Sequence, residues 1–493
     1  MRKVNGQLVA ISLWWMLVAD TGLAQSVPAP APATPVAAAQ PVAAAPKDTG
    51  EVSFDFATAL RDGADPMDAD QAAALAVKTS QTIARATAVN EQARHAADQA
   101  HLAVYPRLDL QARYTRLSEE DRVRQKAELT TTPRDGSAAM VSDLAFKFDP
   151  PVPDQYMLEA QLSYPVSDVF LRILPRYRAA KRAADAQALS AKVEAQNVAL
   201  QTREAFYNYA RARAALLVAQ ASLAQSQAQR RDVEALVSAG TLARVESMRA
   251  DAGVAAAEGA VARTQGAVAV ARTALRSLVH SDGEQEIAIT EDFVQSAAAP
   301  AETKDQLLKV ALANRSELQA LRTMIDVHEQ NIDASNAEHL PKFSVAATFD
   351  LGNPSQRASQ AEHAWLGTWA LVGLLSWSPN DYANGDAGAA QVEAQRAQTQ
   401  ADLAALEDAL RLEVARAYED RKAAVEAMKA AQTGILAAEE TYRVRREQFR
   451  AGASVATDVV DAETALRRAR LDLVNAAIDV HVAGARLNRA TER

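Results

Sequence analysis

The sequence predicts a mainly α-helical fold with a small β part, built as a duplication. Each unit is a strand hairpin followed by two long antiparallel coiled-coil helices. Three observations predict it: a repeat at a shift of 212 residues, a four-three apolar spacing, and period-two segments that begin at prolines. Ala462, Leu466, Ala469, Leu473, Ala476, Val480, Ala483 and Leu487 alternate small with large. The same shift gives Ala250, Val254, Ala257, Val261, Thr264, Val268, Ala271 and Leu275. It also takes Gly452 to Gly240 and Tyr418 to Phe206. Four-three spacing is the seam of a coiled coil, and alanine lets the helix axes approach closely. A self-similar chain of this kind is one body made of two halves.

Composition narrows the function. Of 493 residues only 18 are glycine, which suits long helices. The net charge of −9 argues against a nucleic-acid partner. There is no cysteine, which excludes disulfides, thiolate metal sites and an acylated N-terminal cysteine. Arg2 and Lys3 precede an apolar run from Leu8 to Ala19, and small residues follow at Gly22-Leu23-Ala24. That pattern predicts a secretory signal peptide over residues 1–24, since the run is too short for an ordinary membrane helix. Residues 25–50 are rich in proline and alanine and predict an extended linker. The remainder, 51–493, is one domain of two repeats, about 68–283 and 303–490.

Each repeat opens with a helical stretch, Asp70 to about Val104 and Lys304 to about Leu340. A proline follows, and the period changes to two. After Pro106 come Leu108, Leu110, Ala112 and Tyr114 on one parity; after Pro341 come Phe343, Val345, Ala347, Phe349 and Leu351. Tyr156 to Tyr164 and Trp365 to Trp377 supply a second strand in each half. The predicted strands, 107–117, 156–165, 342–351 and 365–377, are long enough to cross a bilayer when tilted. Tyr156, Tyr164, Phe343, Trp365 and Trp377 stand at strand ends, where membrane barrels carry aromatic girdles. A soluble sandwich with one buried face fits the strands alone equally well. The last strand has a less clean opposite face, with Leu366, Val372 and Leu374.

The turn of the first hairpin, Leu117 to Gln155, is long and charged; that of the second, Gly352 to His363, is short. Very long helices then run from about Pro175 to Ser238 and from about Ala387 to Ala451. At about 1.5 Å per residue each approaches ~95 Å. Gly240 and Gly452 end them, and return helices reach about His280 and Arg489. Four strands cannot close a barrel, and an open edge is not tolerated in lipid. Inserted strands therefore require an oligomer.

Phe449-Arg450-Ala451-Gly452, then Thr457-Asp458-Val459-Val460-Asp461-Ala462 and Leu466, form the strongest local motif. With the duplication and the steps at Tyr105-Pro106 and Leu340-Pro341, the chain resembles the TolC-like outer-membrane efflux proteins of Gram-negative bacteria, from about Asp70 to Arg489. The resemblance implies a homotrimer that pools its strands into a twelve-stranded β-barrel in outer-membrane lipid, above a periplasmic α-helical tunnel. It implies docking on a periplasmic adaptor (membrane fusion) protein and an inner-membrane RND or ABC transporter. By resemblance, Gly240, Gly452 and Phe449 mark the tip turns that meet the adaptor, and Asp458 and Asp461 the constriction. The chain departs from the best-known members at Phe449, where they have tyrosine, and at Ser454, where they can carry an arginine. Glu246 and Arg249 replace the paired aspartates in the first half.

No catalytic constellation, phosphate loop or HExxH motif occurs, and the seven histidines form no tract, so neither an enzyme nor a metal or cofactor site is expected. Two readings remain: an outer-membrane exit duct for efflux or type I secretion, and a secreted or periplasmic coiled-coil scaffold without a pore.

Overall fold

Both repeats begin with the same local device. Asp68 and Gln71 form a reciprocal capping box, and so do Thr303 and Gln306, each pair pinning backbone N–H groups of a first helical turn. The computed structural model describes residues 60–61, 65–118, 124–131, 134–136, 140–147, 152–280, 287–291, 293, 301–355 and 364–492. All lie in one unit, Ser53–Arg493. The predicted signal peptide, the linker, residues 51–59, Pro133, Pro150, Pro151 and the turn residues 356–363 fall outside the described residues.

In chain order the elements are β1 (Asp65–Met67), α1 (Ala69–Thr79), α2 (Gln81–Leu102), β2 (Arg107–Arg116), β3 (Arg124–Thr131), β4 (Met140–Lys147) and β5 (Asp154–Tyr164). Then come α3 (Leu174–Ser238), α4 (Arg244–Val279), β6 (Ile287–Ile289), α5 (Lys304–Asn314) and α6 (Ser316–Asn336). The chain closes with β7 (Lys342–Asn353), β8 (Leu366–Ser376), α7 (Pro379–Arg450) and α8 (Ala456–Thr491). The mainly helical expectation therefore holds, as do the four paired strands and the two helical hairpins.

Four details differ from expectation. Each opening helix is two helices, because Ser80 and Arg315 are extended, with ψ of 127° and 117°. No glycine or proline marks either break. α1 buries Ala69, Ala72, Ala73 and Ala76, whereas α2 buries only Ala97, and one extended residue lets the axis turn between the two surfaces. Second, α7 starts at Pro379, earlier than Ala387, because proline suits the first helical position. Gly385 inside it is a close approach: a Cβ there would lie 2.8 Å from the His339 ring. Third, the long first loop contains a hairpin, β3 with β4, whose Arg-Gln-Lys-Ala-Glu-Leu-Thr-Thr segment has no apolar face to betray it. Fourth, β1 and β6 pair in parallel and join the start of the first repeat to its end.

The main sheet has the order β2-β5-β7-β8, all antiparallel. Its register carries Leu110, Ala160, Phe349 and Trp369 on one rung, and Gln111, Glu159 and Asp350 on the next. Side-chain alternation thus makes one apolar and one largely polar face. The helices hold separate cores. One gathers Phe206, Tyr209, Leu275, Ile287, Ile289 and Ile478; another, far along the hairpins, gathers Val233, Tyr442, Phe449, Val459 and Leu466. In the α8 seam Ala476 is buried and Ala469 half-buried, and Ala477, beside the seam, is fully buried.

Buried arginines donate to backbone carbonyls at the ends of helices and strands. Arg172 donates to Ala337 O at 3.1 Å and to Leu340 O at 3.2 Å. Arg315 donates to Arg489 O at 2.6 Å, and Arg213 to Ile287 O at 2.9 Å. Glu492 works at the opposite kind of end. Its carboxylate accepts from the Ser316 N–H, the first residue of α6, at 2.5 Å, from the Ser316 hydroxyl, and from Lys192 Nζ at 2.7 Å. Burial opposes its charge, but the hydrogen bonds from Lys192, Ser316 and Gln196 prevail and hold the carboxyl at about 2.

Two outcomes follow. Ala477→Leu adds volume that the packed core beside the seam cannot accommodate and lowers unfolding stability by about 1–3 kcal/mol, measured by denaturant titration. Glu492→Gln destabilises at neutral pH. Because the native carboxyl is depressed, that stabilisation is complete above the ordinary glutamate value of about 4.3. The deficit of the variant shrinks as pH falls from there toward about 2. A pH-independent deficit contradicts the ionic role.

Candidate functional site

Two regions carry the expected functional residues: the apolar face of the sheet, and the far ends of the helical hairpins.

On the sheet, Tyr156 and Trp365 lie at the end nearest the loops, their rings 6.0 Å apart. Tyr114 extends the row, 5.2 Å from Tyr156. Tyr164, Phe343 and Trp377 lie at the end nearest the helices, and the Trp377 indole donates to His339 O at 3.2 Å. Between the two rows Leu110 and Trp369 are each 75% exposed. Water does not favour so much contiguous apolar surface. Two aromatics beyond the strands were missed: Phe170 and Tyr382, both exposed at the helix starts. They are 212 residues apart, so the duplication itself was the available signal. Among the described residues no helix is long and apolar enough to cross a membrane.

At the far ends, Gly240 and Gly452 take φ of +76° and +72°. Their turns share the same pair of backbone bonds. Gly240 N–H donates to Val237 O and Thr241 N–H to Leu236 O; Gly452 N–H donates to Phe449 O and Ala453 N–H to Gln448 O. These bonds satisfy the last carbonyls of α3 and α7. A Cβ at either glycine meets nothing within 4 Å, so only the positive φ demands glycine. Phe449 is not on the turn surface. It is buried against Val233, Tyr442, Val459 and Leu466 and holds the two hairpins together from inside. The exposed apolar residues near the turns are Val245, Met248, Val455 and Val460.

Asp458 sits in the first turn of α8, where the macrodipole favours an acid. The Ser454 hydroxyl donates to it at 2.7 Å, and Arg445 lies 3.8 Å away. Asp461, one turn on, is exposed. Glu246 and Arg249, their counterparts in α4, neutralise each other at 2.9 Å. The second hairpin thus presents the carboxylates, and the first does not. Sequence reasoning missed the fork between the hairpins: Arg450 donates to both oxygens of Asp232, at 3.1 and 3.3 Å, and Arg446 adds a contact at 3.6 Å. It also missed Glu463, buried in α8. Burial pushes its carboxyl up, partly offset by hydrogen bonds from Ser226 and Ser222 of α3.

The family model for outer membrane efflux proteins matches residues 73–279 and 307–492, two stretches that include both tip turns and both aspartates. The chain belongs to the outer membrane efflux protein family. Comparison with curated proteins finds no match. Solved structures share the fold. CusC is 18% identical, with a TM-score of 0.70, covering 86% of this chain and 91% of its own. The open-state outer membrane channel MtrE of Neisseria gonorrhoeae is 17% identical, with a TM-score of 0.67, covering 88% and 90%. VceC of Vibrio cholerae is 18% identical, with a TM-score of 0.65, covering 86% and 95%.

Gly452→Val forces a branched side chain into the left-handed region and costs about 1–2 kcal/mol. The expected readout is a lower unfolding midpoint with the helical circular-dichroism signal retained. An unchanged midpoint shows that the turn relaxes to another geometry.

Proposed function

We propose that three copies of this chain form the outer-membrane exit duct of a tripartite efflux pump or type I secretion system, passing small molecules or proteins to the exterior without catalysis. The observation that carries this reading is the sheet: four strands, two unpaired edges and an apolar face bounded by aromatic rows. Backbone groups on an open edge cannot enter lipid unpaired. Three copies joined β8 to β2 supply twelve strands with no edge. Family membership supports the same assembly. The barrel would lie in the outer membrane, and α3, α4, α7 and α8 would form the periplasmic tunnel. Its tip turns would meet a periplasmic adaptor and, beyond it, an RND or ABC transporter. A pore-free scaffold accounts for the coiled coils but leaves the apolar sheet face without a partner.

Asp458 and Asp461 share a helix face. In three copies their carboxylates would ring a narrow mouth, concentrate cations and attract multivalent ions. The Ser454 hydroxyl donates to Asp458, and Arg445, 3.8 Å away, balances part of its charge. Single-channel recording in planar bilayers tests both levels. Wild type forms cation-selective pores blocked by trivalent ions, and Asp458→Asn/Asp461→Asn loses selectivity and block while still assembling. Pores of unaltered selectivity in the double variant remove these aspartates from the constriction. A water-soluble monomer that never forms pores removes the duct.

A further inference from the structure

The two halves do the same structural work, so a feature present in only one of them is not required by the fold. The start of α3 has such a feature. Arg178, Lys181 and Arg182 are exposed and, among the described residues, join no ion pair within the protomer. A shift of 212 residues turns them into Ala390, Glu393 and Ala394 of α7. Arg176 is not part of the set, since it pairs with Glu338 at 3.2 Å, and neither is Arg172, which is buried on Asp168.

The position of the triplet matters as much as its charge. Phe170, 67% exposed, precedes it on a π-helical turn, Val169–Ile173, just beyond the inner aromatic row. By helical spacing Lys181 follows Phe170 by about three turns and shares its side of the helix. Arg178 and Arg182 are turned from it by about a fifth to a third of a turn and widen the basic patch on one flank. They stand about 12–18 Å farther along the axis. Helical side chains lean toward the helix N-terminus, which here is the membrane end. Long basic side chains starting there reach back into the headgroup layer while Phe170 marks the edge of the hydrocarbon. Asp185 is an acid on the same side.

We infer that Arg178, Lys181 and Arg182, with Phe170, form a docking surface for anionic phospholipid headgroups in the membrane leaflet nearest the helices. The inference rests on the proposed membrane-spanning sheet and adds which lipid the first half of each protomer selects. The second half, with Tyr382 exposed at the place of Phe170 but Glu393 at the place of Lys181, keeps the aromatic and lacks the charge. Each protomer therefore presents one lipid-selective and one lipid-indifferent sector.

The test uses the whole chain purified from membranes and exchanged into bilayers of phosphatidylethanolamine containing about a fifth phosphatidylglycerol. Lipids retained by the protein are then counted by native mass spectrometry. Wild type retains phosphatidylglycerol several-fold above its bulk share, and added salt lowers the excess. Arg178→Gln/Lys181→Gln/Arg182→Gln brings retention to the bulk share, whereas Arg231→Gln, far along α3, leaves it unchanged. The converse variant Ala390→Arg/Glu393→Lys/Ala394→Arg raises retention. Unchanged enrichment in a correctly assembled triple-glutamine variant overturns the inference. So does a changed ion selectivity of the pore with unchanged lipid retention, because the triplet then faces the lumen. Wild-type protein that fails to enter bilayers at all sinks the membrane reading together with this one.

Discussion

Long helices and short strands meet in this chain at junctions where buried guanidinium groups donate to backbone carbonyls. The last carbonyls of a helix have no intrahelical donor, and leaving one buried and unpaired costs about 1–3 kcal/mol. Arg172 takes Leu340 O, and gives Ala337 O a second donor beside the Leu340 N–H, at the step from α6 to β7, although its own place in sequence is the step from β5 to α3. One side chain therefore locks the strand-to-helix junction of the first repeat to the helix-to-strand junction of the second. Arg315 does the same between α5 and the end of α8, with Glu413 and Glu317 balancing its charge. Arginine suits the task because its planar fork reaches several acceptors while staying charged.

Duplication supplied two equal hairpins, and divergence made them unequal. The tip turns keep the same pair of backbone hydrogen bonds around Gly240 and Gly452. Their flanks do not. Glu246 and Arg249 cancel, while Asp458 and Asp461 remain acidic. The Asp232 fork with Arg446 and Arg450 ties the end of α3 to the end of α7, and Phe449 packs underneath. A partly buried, bidentate pair is worth more than an exposed one. Separation of the two hairpins at the tip would have to break the fork and expose Phe449 together. Behind it, Glu463 adds a carboxylate whose charge burial disfavours, set between α8 and α3. The tip is thus held by apolar packing and charge in series.

Much of this was legible in the sequence because it rests on period and on repetition. The alternation along the predicted strands placed the strands, their apolar parity and the strand-end aromatics Tyr156, Tyr164, Phe343, Trp365 and Trp377, since side chains on a strand must alternate. Gly240 and Gly452 were visible as helix ends because left-handed backbone there excludes other residues cheaply. The capping boxes at Asp68 and Thr303 are equally local.

Tertiary structure alone decided what depends on a distant neighbour. Nothing local marks Ser80 or Arg315 as a helix break, because the break serves two surfaces that the helix must cover. A strand of three residues such as β1 has too few positions to show a period, and it exists because β6 lies beside it. Phe449 looked like a turn residue from its place before glycine, but burial between two hairpins makes it a core residue. Asp232 and Arg450 are 218 residues apart, and only folding makes them a pair. Sequence determined the elements, their faces and their repetition, since these follow from backbone geometry within a few residues. Structure decided the contacts between elements, since a side chain's partner is set by where the chain returns.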